Sequence, residues 1–148
     1  MTIKQQLLQI CNERVDKRIN DYKEEINLIK ESIESNDKGN SEDDDSGNGK
    51  LLNDLEKNMV YLNDAQKAKE HLKQIKTTIN NTEAVLGSIV KTNSMSFYLS
   101  TSIGKIELEN EVYFAISLSS PIGLLLKNKT KNERFEFNQN KYVITEII

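Results

Sequence analysis

The chain has 148 residues, 36% of them hydrophobic and 29% charged, with a formal net charge of -3. That length suits one ordinary domain, or a small domain carrying an extended element, and no apolar run approaches the roughly 18 residues of a membrane helix. With a single cysteine, Cys11, and a single histidine, His71, one chain can assemble neither an intrachain disulfide nor a cysteine-rich or His-based zinc site, nor a Cys-His-His condensing site.

The opening residues, MTIKQQLLQI, lack the apolar core of a secretory signal, so a cytoplasmic location is the expectation. Apolar residues then recur at Val15, Ile19, Tyr22, Ile26, Ile29 and Ile33 in alternating steps of four and three, and Ile3, Leu7 and Ile10 extend the series upstream with one offset. A second series runs through Leu52, Leu55, Met59, Leu62, Ala65, Ala68, Leu72, Ile75 and Ile79. This spacing predicts two helices with coiled-coil-like seams. Each is roughly 30 residues, or about 45 Å at the α-helical rise. Their matched lengths predict an antiparallel hairpin over residues 1–82, with residues 35–50 as its tip.

The tip contains NDKGNSEDDDSGNGK, in which Glu42, Asp43, Asp44 and Asp45 are consecutive acids. Residues 31–50 hold seven acids against two lysines, a local net of -5, so the remainder of the chain carries +2. Acidity focused this way disfavours a nucleic acid as the direct partner of that segment. Acidic, glycine-rich segments are commonly solvated linkers, but a linker does not call for matched helices on both sides. Asp44, Ser46, Asn48 and Gly49 also fit positions one, three, five and six of a calcium loop, yet position twelve is Leu55, which offers no carboxylate. His71 reads as a neighbour of the seam and Cys11 as packing.

Beyond Asn80-Asn81 the pattern changes. VLGSIVK, SFYLSTSI, KIELEN, VYFAISL, RFEF and KYVITEII read as strands, with turns at Gly104 and Asn110. Alternating aromatics such as Tyr113, Phe114, Phe135 and Phe137 read as core. Ser119-Ser120 before the only proline, Pro121, predicts a short helix with a serine cap and proline in its first turn. The fold class is therefore α+β: a helical hairpin followed, over residues 83–148, by a compact antiparallel β domain with one short helix.

The segment ISLSSPIGLLLKNKTKNERFEFNQNKYVITEI resembles the C-terminal domain of the Gre factors, the GreA/GreB-type transcript cleavage factors of bacterial RNA polymerase. In that family a Ser-Pro-Ile/Leu-Gly motif opens a short helix and a Tyr-x-Ile strand closes an FKBP-like domain; VLGSIVKTN is similar to the Gly-Ser-x-Val strand that begins it. The resemblance implies a monomeric regulator that is not itself an enzyme. Its hairpin would enter the polymerase's secondary channel, near the 3′ end of the nascent RNA. Two tip acids three positions apart would help to bind the second magnesium ion of the polymerase active site, because a weakly held cation needs extra oxygen ligands.

Glu42 and Asp45 have that spacing, with Asp43 and Asp44 able to substitute. The family's Asn-Ala-Glu-Tyr context after the second acid is replaced by Ser46-Gly47-Asn48-Gly49, and Asn128-Lys129 and Asn132-Glu133 stand where Gly-Lys and Gly-Asp are usual. The family also includes a member that inhibits the polymerase with an unusually acidic tip. Docking on the polymerase is expected around Ser120, Pro121, Ile122 and Gly123. The competing reading is a coiled-coil interaction module whose tip is merely solvated.

Overall fold

The structure, a computed structural model, describes residues 1–38 and 45–148. The chain runs α1 (Ile3–Lys38), α2 (Asp45–Lys73), β1 (Ile89–Thr92), β2 (Ser96–Leu99), β3 (Gly104–Leu108), β4 (Glu111–Ile116), α3 (Pro121–Leu126), β5 (Arg134–Phe137) and β6 (Asn140–Ile147). This is the α+β architecture that the patterning predicts. Packing groups the residues into two units, 15–69 and the combination of 1–14 with 70–148.

In the helical unit the two helices run antiparallel. Lys69 meets Asp16, Tyr22 lies against Tyr61 with ring centroids 5.6 Å apart, and Asn36 Nδ2 donates to Asn48 Oδ1 at 3.3 Å. As the α1 position rises, its α2 partner falls by a nearly equal amount. The expected α1 seam of Val15, Ile19, Tyr22, Ile26, Ile29 and Ile33 is buried or half-buried throughout.

In α2 the seam differs from the expectation. Leu52 and Met59 are 51% and 52% exposed, whereas Leu51, Leu55, Asn58, Leu62 and Ala65 turn inward. The pairing register with α1 places polar Asn58 where Met59 was expected, and the Asn58 amide satisfies itself by donating to the Asp54 carbonyl at 2.8 Å. Helix α2 also starts earlier than expected, since Ser46 to Lys50 are helical.

The opposite end of α2 is shorter than its apolar series suggests. The helix stops at Lys73, before KTTINN, where β-branched and asparagine residues are weak helix formers. Ile75 is buried by a different route: a Cβ placed on Gly87 would lie 3.1 Å from Ile75 Cγ2, and Gly87 has φ +92°. Ile79 is exposed, and its carbonyl accepts from Lys4 Nζ at 2.7 Å. At the start of α1, Thr2 and Gln5 form a capping box: Gln5 N donates to Thr2 Oγ1, and Thr2 N to Gln5 Oε1.

The β unit holds one six-stranded sheet in the order β3-β4-β2-β1-β6-β5. Every neighbouring pair is antiparallel except β2 and β4, which run parallel. The sheet is thus antiparallel, as expected, apart from this one parallel pair. The chain leaves β2, places β3 on the sheet's edge, and returns through a tight turn so that β4 fills the gap beside β2. Leu108 pairs with Glu111 and Phe137 with Asn140, so both hairpins have two-residue loops, Glu109-Asn110 and Asn138-Gln139, in which all four residues have positive φ. That is the turn geometry matching strand twist.

Alternation sends Val90, Phe97, Leu99 and Ile144 to one face, where they pack with Ala84, Leu126, Phe135 and Tyr142. Ile89, Tyr98, Ile106 and Tyr113 are buried as well. The first turns of α1 approach the sheet: Cys11 Sγ lies 3.7 Å from Ser100 Oγ, and Arg14 Nη1 donates to the Lys105 carbonyl at 2.9 Å on edge strand β3. Burial raises the Cys11 thiol above its ordinary range, which keeps it an unreactive packing group.

Candidate functional site

Two places carry the functional expectations. The first is the acidic tip. Glu42, Asp43 and Asp44 lie outside the described residues, and Asp45 is the first residue of α2. What the structure does establish is the frame: α1 ends at Lys38 and α2 begins at Asp45, and the Asn36–Asn48 contact joins the helices close to that end. In sequence, Glu42, Asp43 and Asp44 fall between the two helices, and Asp45 opens the second. The calcium-loop alternative does not fit, because Ser46, Asn48 and Gly49 belong to α2 and Asn48 is engaged with Asn36. Among the described residues no group of three or more His, Cys, Asp or Glu could hold a metal ion.

The second place is the start of α3. Ser120 adopts an extended conformation, φ -69° and ψ 159°, and its Oγ accepts from Gly123 N at 3.1 Å while donating to the Ser117 carbonyl at 2.6 Å. One hydroxyl thus caps the helix and ties it to the preceding turn. Pro121 fills the first turn, where its missing N–H costs nothing. Gly123 has no substitute: a Cβ there would come 2.0 Å from the Ser117 carbonyl oxygen and 2.9 Å from Leu118 Cα. The residues of the expected docking motif therefore have local structural work. Ser120 and Gly123 build the helix entry, Ile122 packs on the core, and Pro121 is exposed.

Beside that motif lie two residues that sequence reading passed over. Leu124 and Leu125 are 61% and 38% exposed. Their signal was available in the helical period: in a six-residue helix, Ile122 and Leu126 stand four apart and face the core, which turns the leucines between them outward. Two asparagines of the loops around β5 also have a clear role. Asn128 and Asn132 have φ of 65° and 76°, the left-handed region that asparagine tolerates best after glycine. His71 is exposed in the last turn of α2, where a basic side chain suits the helix end.

Over 93% of its length the chain is similar to the crystal structure of GreA factor homolog 1 (Gfh1) protein of Thermus thermophilus, at 15% identity and a TM-score of 0.39, covering 94% of that chain. It is similar to the structure of the transcription factor Gfh1 at 14% identity and a TM-score of 0.38, with 92% of each chain covered. For Gfh1 of Thermus aquaticus the identity is 18% and the TM-score 0.34, over 91% of this chain and 92% of that one. No family model and no curated protein matches the chain. No helix among the described residues is long and apolar enough to cross a membrane.

Proposed function

We propose that this protein is a Gre-like regulator of transcription elongation. It binds bacterial RNA polymerase, docks its β domain at the rim of the secondary channel, and presents the acids between α1 and α2 to the polymerase active site. There Glu42 and Asp45, aided by Asp43 and Asp44, help to hold the second magnesium ion and promote cleavage of backtracked RNA. The protein supplies carboxylates, and the polymerase supplies the reaction. The observation that carries this reading is that a run of four acids, its last at the start of α2, stands in sequence between two long helices that pair antiparallel, ahead of a β domain whose short helix opens with Ser-Pro-Ile-Gly. On the β domain, exposed Pro121 and Leu124 offer apolar contact beside that motif.

The unusually long acidic run favours a second reading within the same class, in which the tip blocks the channel rather than assisting cleavage. Stalled, backtracked elongation complexes with polymerase from the same source separate the two. Faster release of short 3′ RNA fragments with the natural chain, lost when Glu42, Asp43, Asp44 and Asp45 are all neutralised, is the expected result. Tip-dependent slowing of cleavage or nucleotide addition would establish the blocking role. Absence of both binding and effect would leave a coiled-coil interaction module.

A further inference from the structure

We propose that the edge of the β unit formed by residues 127–141 is a contact surface for the phosphate backbone of single-stranded RNA. The segment KNKTKNERFEFNQNK contains five basic residues, Lys127, Lys129, Lys131, Arg134 and Lys141, against two acids, Glu133 and Glu136, a local net of +3 in a chain whose total is -3. The sheet separates its charge. Glu107, Glu109 and Glu111 cluster at the β3–β4 hairpin on one edge, and the basic segment borders β5 on the opposite edge.

Most other cations of the same unit, though not exposed Lys76, are engaged. Lys91 faces Glu111 and Glu146, Lys105 pairs with Glu107, Lys73 with Glu70, and Arg14 and Lys4 donate to backbone carbonyls. None of the five edge cations has a carboxylate within 4.0 Å among the described residues, and all but the half-buried Lys129 are exposed. Of the two acids, Glu133 turns back to accept from Thr130 N and Oγ1, and Glu136 stands across from Lys141 in the β5–β6 register.

The backbone beneath these lysines is held. Asn128 N donates to the Ala84 carbonyl and Ala84 N to the Lys129 carbonyl, each at 2.8 Å. Exposed amides, Asn128, Asn132, Asn138, Gln139 and Asn140, lie among the cations and supply the donors that phosphate and ribose oxygens accept. The nearby rings, Phe135 and Tyr142, stack on each other with centroids 4.9 Å apart and are buried, and half-buried Phe137 packs against the core, so no fully exposed ring is offered to a base. The surface therefore reads backbone and not sequence. Cations built on consecutive turns suit a flexible strand that can follow them, and the amides suit the ribose 2′-hydroxyl.

This inference rests on the β unit alone, so it stands or falls separately from the polymerase reading. The test is fluorescence anisotropy of a labelled unstructured RNA with the full chain, set against single-stranded DNA of the same sequence, an RNA duplex and poly-glutamate as competitors. Expected is weak binding, with a dissociation constant on the order of 10⁻⁴ to 10⁻⁶ M and steep salt dependence, about -0.7 in log-log slope per phosphate contacted. Lys127→Gln/Lys129→Gln/Lys131→Gln should reduce the slope by about 2, and Arg134→Gln/Lys141→Gln by about 1.4; an unchanged circular dichroism spectrum confirms that these surface variants fold.

Binding that survives both sets of substitutions, or no binding near 50 mM salt, overturns the proposal. Equal affinity for DNA or duplex overturns the commitment to single-stranded RNA. Competition by poly-glutamate as strong as by RNA, together with loss of competition in Leu124→Ser, would assign the edge to an acidic protein instead.

Discussion

Val90, Phe97, Leu99 and Ile144 of the β unit are fully enclosed, whereas among the described residues 15–69 only Val15, Ile26, Ile29 and Ala65 are buried hydrophobics. Two paired helices have one seam, and here half-buried Asn48, Asp54 and Asn58 occupy part of it. Surface ion pairs such as Lys17–Asp21 and Lys69–Asp16 contribute little, because solvent screens them. The sheet instead buries residues from two faces and fixes its turns with positive-φ residues at defined positions. The difference teaches that length and patterning suffice to make a hairpin, but that rigidity in this chain belongs to the sheet.

The largest expected effect tests that contrast directly. Phe97→Ala removes a fully buried ring from the core and should cost about 3–5 kcal/mol. Leu62→Ala, at a half-buried seam position, should cost only about 1 kcal/mol. Native-state amide exchange reads each unit separately: the Phe97 variant should lose protection across β1, β2 and β4, and the Leu62 variant only along the helices. Equal losses would show that the two units share one cooperative structure.

The same contrast explains what the sequence disclosed. Period-two strands with aromatic and β-branched residues were legible because alternation survives any sheet order, and the cap at Ser120-Pro121 was legible because it is purely local. The parallel β2–β4 pair was not, since strand order depends on long-range pairing that no local pattern records. Leu52 and Met59 misled because both belong to a valid heptad series; only the register with α1 selects Leu51 and Asn58 in their place. Of the candidate site, the acidic run was legible as charge, and the two helices that flank it in sequence were legible as periodicity. The exposure of Leu124 and Leu125 was overlooked because their run IGLLL reads as uniformly apolar.

A smaller effect should come from repairing the seam. Asn58→Leu replaces a half-buried amide, whose bond stays within its own helix, by an apolar side chain facing α1. Hairpin stability should rise by about 1 kcal/mol, seen as slower amide exchange along α2. If exchange instead accelerates, the amide is fixing the helix register, and the seam is more specific than its shallow burial suggests.

The smallest effect concerns the sheet and appears only at high pH. The Tyr113 hydroxyl donates to the Glu111 carboxylate at 2.7 Å, and burial, then that hydrogen bond and its charge, push the phenol up to about 12. Burial raises Tyr98 as well. A phenol whose folded pKa lies above its unfolded value of about 10 favours the folded state below pH 10, and that contribution is lost as pH climbs toward 12. Stability should therefore show no pH dependence from this pair around neutral pH, where its contribution is complete, and fall across that alkaline window. Ultraviolet titration of phenolate, compared between the natural chain and Glu111→Gln, should show one tyrosine titrating at lower pH in the variant, because the facing carboxylate charge is gone. An unchanged titration would mean that burial alone holds the phenol neutral and that Glu111 contributes nothing to the order of this sheet face.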